Sequence, residues 1–130
     1  IYTVKDTLSL HDALPIFITI RDDLFETYSK RADFIQRYIF PGGVLPSVGR
    51  LKDQFANAGL YFDGMERFGE DYAETLNRWL HRFEDAWNEI RPMGFDERFK
   101  RMWDFYLSYC EAGFRTGRID VAQFALSRQG

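Results

Sequence analysis

Leu60 to Ile90 reads LYFDGMERFGEDYAETLNRWLHRFEDAWNEI, and within it the chain changes its period. Leu60 to Phe68, LYFDGMERF, predicts a strand, with Gly64 in its middle marking a bulge or a close backbone approach. Glu70, Asp71 and Glu74 then place carboxylates on the first turn of a helix, where they complement its N-terminal dipole. The apolar stripe Tyr72, Leu76, Trp79, Leu80, Phe83, Trp87 and Ile90 advances in steps of three, four or one. Arg91-Pro92-Met93-Gly94 terminates it, and Asp96 opens a second helix with Phe99, Met102, Trp103, Tyr106, Cys110 and Phe114 on its apolar side. Two long helices with such stripes are expected to pair, and Gly113 lets a neighbour approach closely. Gly117 ends the second helix before a last strand, Ile119 to Leu126. No internal repeat is visible.

Upstream, Phe17 to Ile20, FITI, reads as the end of a buried strand, and Asp22 or Asp23 can cap the helix after it. From Leu24 to Ile39 the apolar residues recur at helical spacing, giving one helix or two short ones. Pro41-Gly42-Gly43 stops it, so Phe40 to Pro46 is a tight loop. Ser47 is the N-cap of a helix carrying Val48, Leu51, Phe55 and Ala58, and Gly59 is its stop. The opening stretch lacks the basic region and small-residue cleavage site of a signal peptide. Thr7 to Ile16, TLSLHDALPI, resembles the conceptual translation of a common sequencing adapter. Residues 1 to 16 are therefore expected to be a non-native scar, with 17 to 130 the natural part, and His11 and Asp12 carry no functional weight. The other reading is an amphipathic lead-in packing Leu8, Leu10 and Leu14 on the domain.

The 130 residues suit one domain, and 45% hydrophobic content with 28% charge excludes disordered and low-complexity classes. A net charge of -3 without a basic block argues against nucleic acid as a partner. The single cysteine, Cys110, makes neither an internal disulfide nor a cysteine-based zinc site, which fits a reducing cytoplasm. No apolar run approaches the roughly 20 residues of a membrane span, so any lipid contact is peripheral. His81, between Leu80 and Arg82 on a polar face, reads as solvated. No metal-ligand spacing, nucleophile elbow or phosphate-cradling glycine loop is present. Cys110 lies on an apolar stripe and reads as a small core residue. Taken residue by residue, the chain is an aromatic-rich α+β domain, in which 18% aromatic residues serve as core.

Four segments go further: YIFPGGVLPS from Tyr38 to Ser47, FGEDYAETLNRW, GFDERFKRMWDFYLSYCEAGF and IDVAQFALSR. In order and spacing they resemble the C-terminal part of cyclopropane-fatty-acyl-phospholipid synthases, over residues 18 to 128. The resemblance implies an α/β fold, the C-terminal portion of a Rossmann-like S-adenosylmethionine methyltransferase. Phe17–Ile20 would be its fifth strand, Leu60–Phe68 its sixth, and Ile119–Leu126 its seventh, inserted between them. It implies transfer of a methylene from S-adenosylmethionine to the double bond of an unsaturated phospholipid acyl chain, through a carbocation and then proton loss. Because the first four strands and the glycine turn that holds the cofactor are not in this sequence, the 130-residue piece is expected to be inactive, its partner being the N-terminal half of the same enzyme.

The resemblance also implies a bicarbonate ion as proton acceptor, with Tyr72 of Phe68-Gly69-Glu70-Asp71-Tyr72 as one ligand and the backbone of Ile20 as another. A phenol donates to an anion without adding positive charge. The family's cysteine, glutamate and histidine ligands lie upstream, and Cys110 does not replace that cysteine. Where many members carry histidine near the fifth strand's end, this chain has Phe17-Ile18. Tyr38, Phe40, Phe55, Tyr61 and Phe62 are candidates to line the acyl channel. The setting implied is cytoplasmic, peripheral to the inner face of the membrane. The alternative from another class is a non-enzymatic aromatic-rich helical module that binds lipid or a partner protein.

Overall fold

A computed structural model describes residues 14–128. Most of the expected scar, including His11 and Asp12, lies outside the described residues. Strand β1 (Ile16–Ile20) leads to helices α1 (Asp22–Ser29), α2 (Phe34–Tyr38) and α3 (Val48–Asn57), then strand β2 (Leu60–Arg67). Helix α4 (Gly69–Asp85), the short α5 (Trp87–Ile90), helix α6 (Glu97–Arg115) and strand β3 (Ile119–Arg128) complete the order. The sheet runs β1-β3-β2 with both outer strands antiparallel to β3, so the last strand is inserted as the resemblance implied. Ile20 pairs with Ile119 and Ile16 with Gln123, while a register shift between Phe62 and Gly64 leaves Asp63 unpaired beside the expected glycine bulge.

Local chemistry explains the helix ends. The Leu24–Ile39 periodicity splits into α1 and α2 because Asp33 starts a new helix. Its carboxylate accepts from the Gln36 N–H while the Gln36 side chain accepts from the Asp33 N–H, both at 2.9 Å. Ser47 and Asp96 cap α3 and α6 by accepting from the N–H groups of Arg50 and Phe99. Gly59 and Gly117, at φ 76 and 68, adopt the left-handed conformation their stop positions require. The stripe expected to run unbroken to Ile90 is interrupted at Ala86, where α4 ends and α5 begins.

The alternation along β3 divides the interior in two. Val121 joins Ala73 and Leu76 of α4 and Leu107, Cys110 and Phe114 of α6 in one core. Ala122, Phe124 and Leu126 meet Leu51 and Phe55 of α3 in the other, with Phe17 and Phe62 against them. The two long helices pair, tied by the Asn77 amide donating to Glu111 at 3.2 Å. A Cβ on Gly113 would sit 2.9 Å from Cγ1 of Ile119, so glycine is what brings α6 down onto the sheet here. At the other edge β3 is the one strand that β1 pairs with among the described residues, apart from a single bridge from Ile20 to Ser47, and Ile16 and Ile18 remain exposed.

Candidate functional site: an apolar cavity over strand β1

The first core does not close over β1. A cavity of about 610 Å³ lies there, floored by Ile18 and Ile20 and walled by Tyr72, Leu76 and Trp79 of α4. On the opposite side stand Tyr106, Tyr109, Cys110 and Gly113 of α6, and the roof is Tyr28, Ile35, Phe40 and the Gly43–Leu45 turn. The turn is shaped by the Gly43 N–H donating to Phe40 O and by Gln36 Nε2 donating to Gly43 O. Leu45 N–H donates to the Tyr28 hydroxyl at 3.0 Å, and the Tyr109 hydroxyl donates to Asp33 at 3.2 Å, fastening the roof internally and to α6. The volume falls within the roughly 300–1,000 Å³ usual for small-molecule sites.

Tyr72 is 39% exposed, its ring 5.8 Å from that of Phe114, and it shares the cavity with Ile20. Tyr72, Ile20 and Phe40 are thus brought to one place. The backbone of Ile20 is another matter, since its N–H donates to Pro46 O at 2.9 Å and a parallel bridge joins it to Ser47. That N–H is therefore committed to Pro46 O. Phe55, at 0% exposure, and Phe62 belong to the second core rather than the cavity wall, and the Phe62 ring instead carries the Lys52 ammonium at 4.3 Å. Tyr61 and Tyr38 are exposed and line no part of the cavity. An apolar residue at helical or strand spacing says that a side is buried, not which of two cores receives it. His81 is exposed as read, its Nδ1 against Asn77 O.

Burial disfavours ionisation of three phenols and the thiol in the cavity wall, which Asp33 and Arg118 also line. Burial raises the pKa of Tyr28, Tyr106 and Tyr109, with Asp33 nearby reinforcing the first and last. Burial likewise pushes the Cys110 thiol from 9.0 up to about 11, the Asp33 charge adding to it. The fold prefers the protonated thiol, so its contribution to stability is present below pH 9.0 and lost as pH climbs through about 11. At pH 8, iodoacetamide is expected to alkylate Cys110 on the order of a hundredfold more slowly than an ordinary thiol. Mass spectrometry of timed quenches checks this, and alkylation at the rate of free cysteine would contradict it. Asp33, Tyr109, Trp79 and Arg118 escaped the sequence reading as cavity residues. The Asp33-x-x-Gln36 spacing was the one available signal, and it marks a helix start rather than a site.

Beside the tip of β1 a polar pocket of about 350 Å³ is lined by Thr19 to Asp23, Arg67, Gly117 and Asp120. An adenosyl cofactor needs free backbone N–H groups at a glycine turn and a free carboxylate for its ribose. The turn here is Arg21-Asp22-Asp23, in which Asp22 accepts from Gly49 N–H at 2.9 Å and Asp23 pairs with Arg21 at 2.7 Å. Asp120 is held by Arg67 at 2.8 Å. These residues do not fit the cofactor. Among the described residues no His, Cys, Asp and Glu group could hold a metal ion, and no helix is long and apolar enough to cross a membrane.

In fold the chain is a portion of an S-adenosylmethionine-dependent methyltransferase, as its likeness to solved structures shows. Residues 11–124 match the family described as mycolic acid cyclopropane synthetase, and the chain belongs to that family. It is 46% identical over 98 residues to the tuberculostearic acid methyltransferase UfaA1 of Mycobacterium tuberculosis, covering 75% of this chain and 23% of that protein. It is 40% identical over 105 residues to the cyclopropane-fatty-acyl-phospholipid synthase of Escherichia coli, covering 77% and 27%. The chain thus spans about a quarter of the curated relatives it matches. Among solved structures, mycolic acid cyclopropane synthase CmaA1 complexed with SAH and CTAB superposes with a TM-score of 0.81 at 26% identity, over 93% of this chain and 46% of that one.

Proposed function

We propose that residues 17–130 form the acyl-chain half of a cyclopropane-fatty-acyl-phospholipid synthase, receiving the cis double bond of an unsaturated phospholipid chain in the cavity over β1. The observation that carries the reading is the cavity itself, apolar along Ile18, Ile20, Leu76 and Trp79 and bearing one half-exposed phenol, Tyr72, on its wall. Its rings present negative faces to any positive charge developing on the chain, burial disfavours the anionic forms of Tyr28, Tyr106, Tyr109 and Cys110, and the Asp33 carboxylate is tied up by the Gln36 N–H and the Tyr109 hydroxyl. No hydrogen bond among the described residues uses the Tyr72 hydroxyl, which leaves it able to donate to a small anion. Bicarbonate, when bound, would supply the proton acceptor. Tyr72 would hold it, while Ile20 positions the strand tip through its side chain and its bond to Pro46.

The polar pocket beside β1 does not fit an adenosyl group. Calorimetric titration of S-adenosylmethionine into the 130-residue protein is therefore expected to show no binding, whereas oleic acid should quench or shift the tryptophan fluorescence to which Trp79 contributes. A micromolar S-adenosylmethionine isotherm, or fluorescence indifferent to oleic acid, would overturn this reading.

A further inference from the structure

We propose that the face formed by α2, the Phe40–Leu45 turn and the outer stripe of α6 docks this chain on an anionic lipid bilayer. The inference rests on the acyl-cavity reading and adds the surface through which the lipid arrives.

Tyr38, Phe40, Val44 and Phe105 are 58%, 60%, 51% and 50% exposed. They form part of an ordered platform. Phe34 lies tilted against Tyr38 at 5.3 Å and meets Phe105 edge-on at 4.6 Å, and Phe105 stacks on Tyr109 at 5.7 Å. A contiguous apolar patch of this kind marks an interaction surface rather than ordinary solvent-facing area. The patch is continuous with the cavity, because Tyr109, Phe40 and Val44 line the cavity as well. A chain entering the cavity therefore passes across these rings.

The charges select the occupant. Arg98 and Arg101 precede Phe105 by seven and four residues, which puts them on its face of α6, and Arg37 adjoins Tyr38. All three are exposed, and among the described residues none has an ion-pair partner. The neighbouring carboxylates are engaged elsewhere: Asp104 pairs with Lys100, Glu97 accepts from the Trp87 indole, and Glu111 pairs with Arg115. Asp33 caps α2 and holds Tyr109. A chain of net charge -3 thus presents uncompensated guanidinium groups around an aromatic patch. Rings that seek the interfacial layer, rimmed by arginines, suit a surface of anionic headgroups.

The test is flotation of the 130-residue protein with vesicles of phosphatidylcholine alone or with added phosphatidylglycerol. Binding is expected to require phosphatidylglycerol and to fall with salt. The double variant Arg98→Gln/Arg101→Gln should bind about 25-fold less, about fivefold for each positive charge removed. Phe105→Ser should lower binding independently, with the helical circular dichroism of both variants unchanged. Oleic acid uptake read by tryptophan fluorescence should survive in both, so its absence in the wild type would sink the cavity reading while leaving the docking face to be judged by flotation. Equal flotation of wild type and variants, or equal binding to neutral vesicles, overturns the proposal. A dimer in analytical ultracentrifugation that both variants dissolve would assign the face to a second copy and overturn it equally.

Discussion

Phe124→Ala is expected to cost about 3–5 kcal/mol, a large share of a total stability on the order of 5–15 kcal/mol. The side chain is fully buried, and the rings of Phe55, Phe17 and Phe62 surround it at 5.6, 5.8 and 6.2 Å. These contacts join both outer parts of the sheet and α3 to the central strand, so the cavity left by truncation cannot be filled by shifting one neighbour. Tyr61→Ala, on the exposed side of β2, is the matched control and should stay within about 0.5 kcal/mol of wild type. Urea unfolding followed by circular dichroism measures both. A loss below about 1 kcal/mol for Phe124→Ala would mean that the second core is not packed as described.

Ile18→Glu is expected to weaken oleic acid binding more than a hundredfold while leaving the chain folded. Ile18 is 42% exposed on the floor of the cavity, so the carboxylate can reach water in the free protein but faces an acyl chain in the complex. Burying an unpaired charge against hydrocarbon costs several kcal/mol. Ile18→Gln separates polarity from charge and should lose about tenfold, the smaller desolvation penalty of a neutral amide. Fluorescence titration decides between these outcomes. Equal affinity for both variants and wild type would place the ligand elsewhere.

Much of this architecture is legible in the sequence because it is local. Ser47, Asp96, Gly59 and Gly117 cap or stop helices through groups within a few residues, and the bulge at Gly64 needs only the missing side chain. What escaped is long-range. The α4 stripe names Tyr72 and Trp79 as apolar, yet both face the cavity and remain partly exposed, while the residue that seals the helix pair is Ala73, invisible to a search for large side chains. Phe55 and Phe62 looked as suited to an acyl channel as Phe40, and only the alternation of β3 between two cores separates them. The commitment of the Ile20 amide depends on Pro46, 26 residues later, and the Tyr109–Asp33 contact spans 76 residues. Neither pairing leaves a local trace. The strand order itself came from the family resemblance, since three short apolar runs do not reveal which is central.

The central claim is that an acyl double bond sits against Tyr72 over the tip of β1. Intermolecular nuclear Overhauser effects between the olefinic protons of bound oleic acid and an isotope-labelled chain test it most directly. Cross-peaks to the Tyr72 ring and to the methyl groups of Ile18 or Ile20 are the expected result. Cross-peaks confined to Tyr61, Lys52 or other residues beyond the cavity would contradict it.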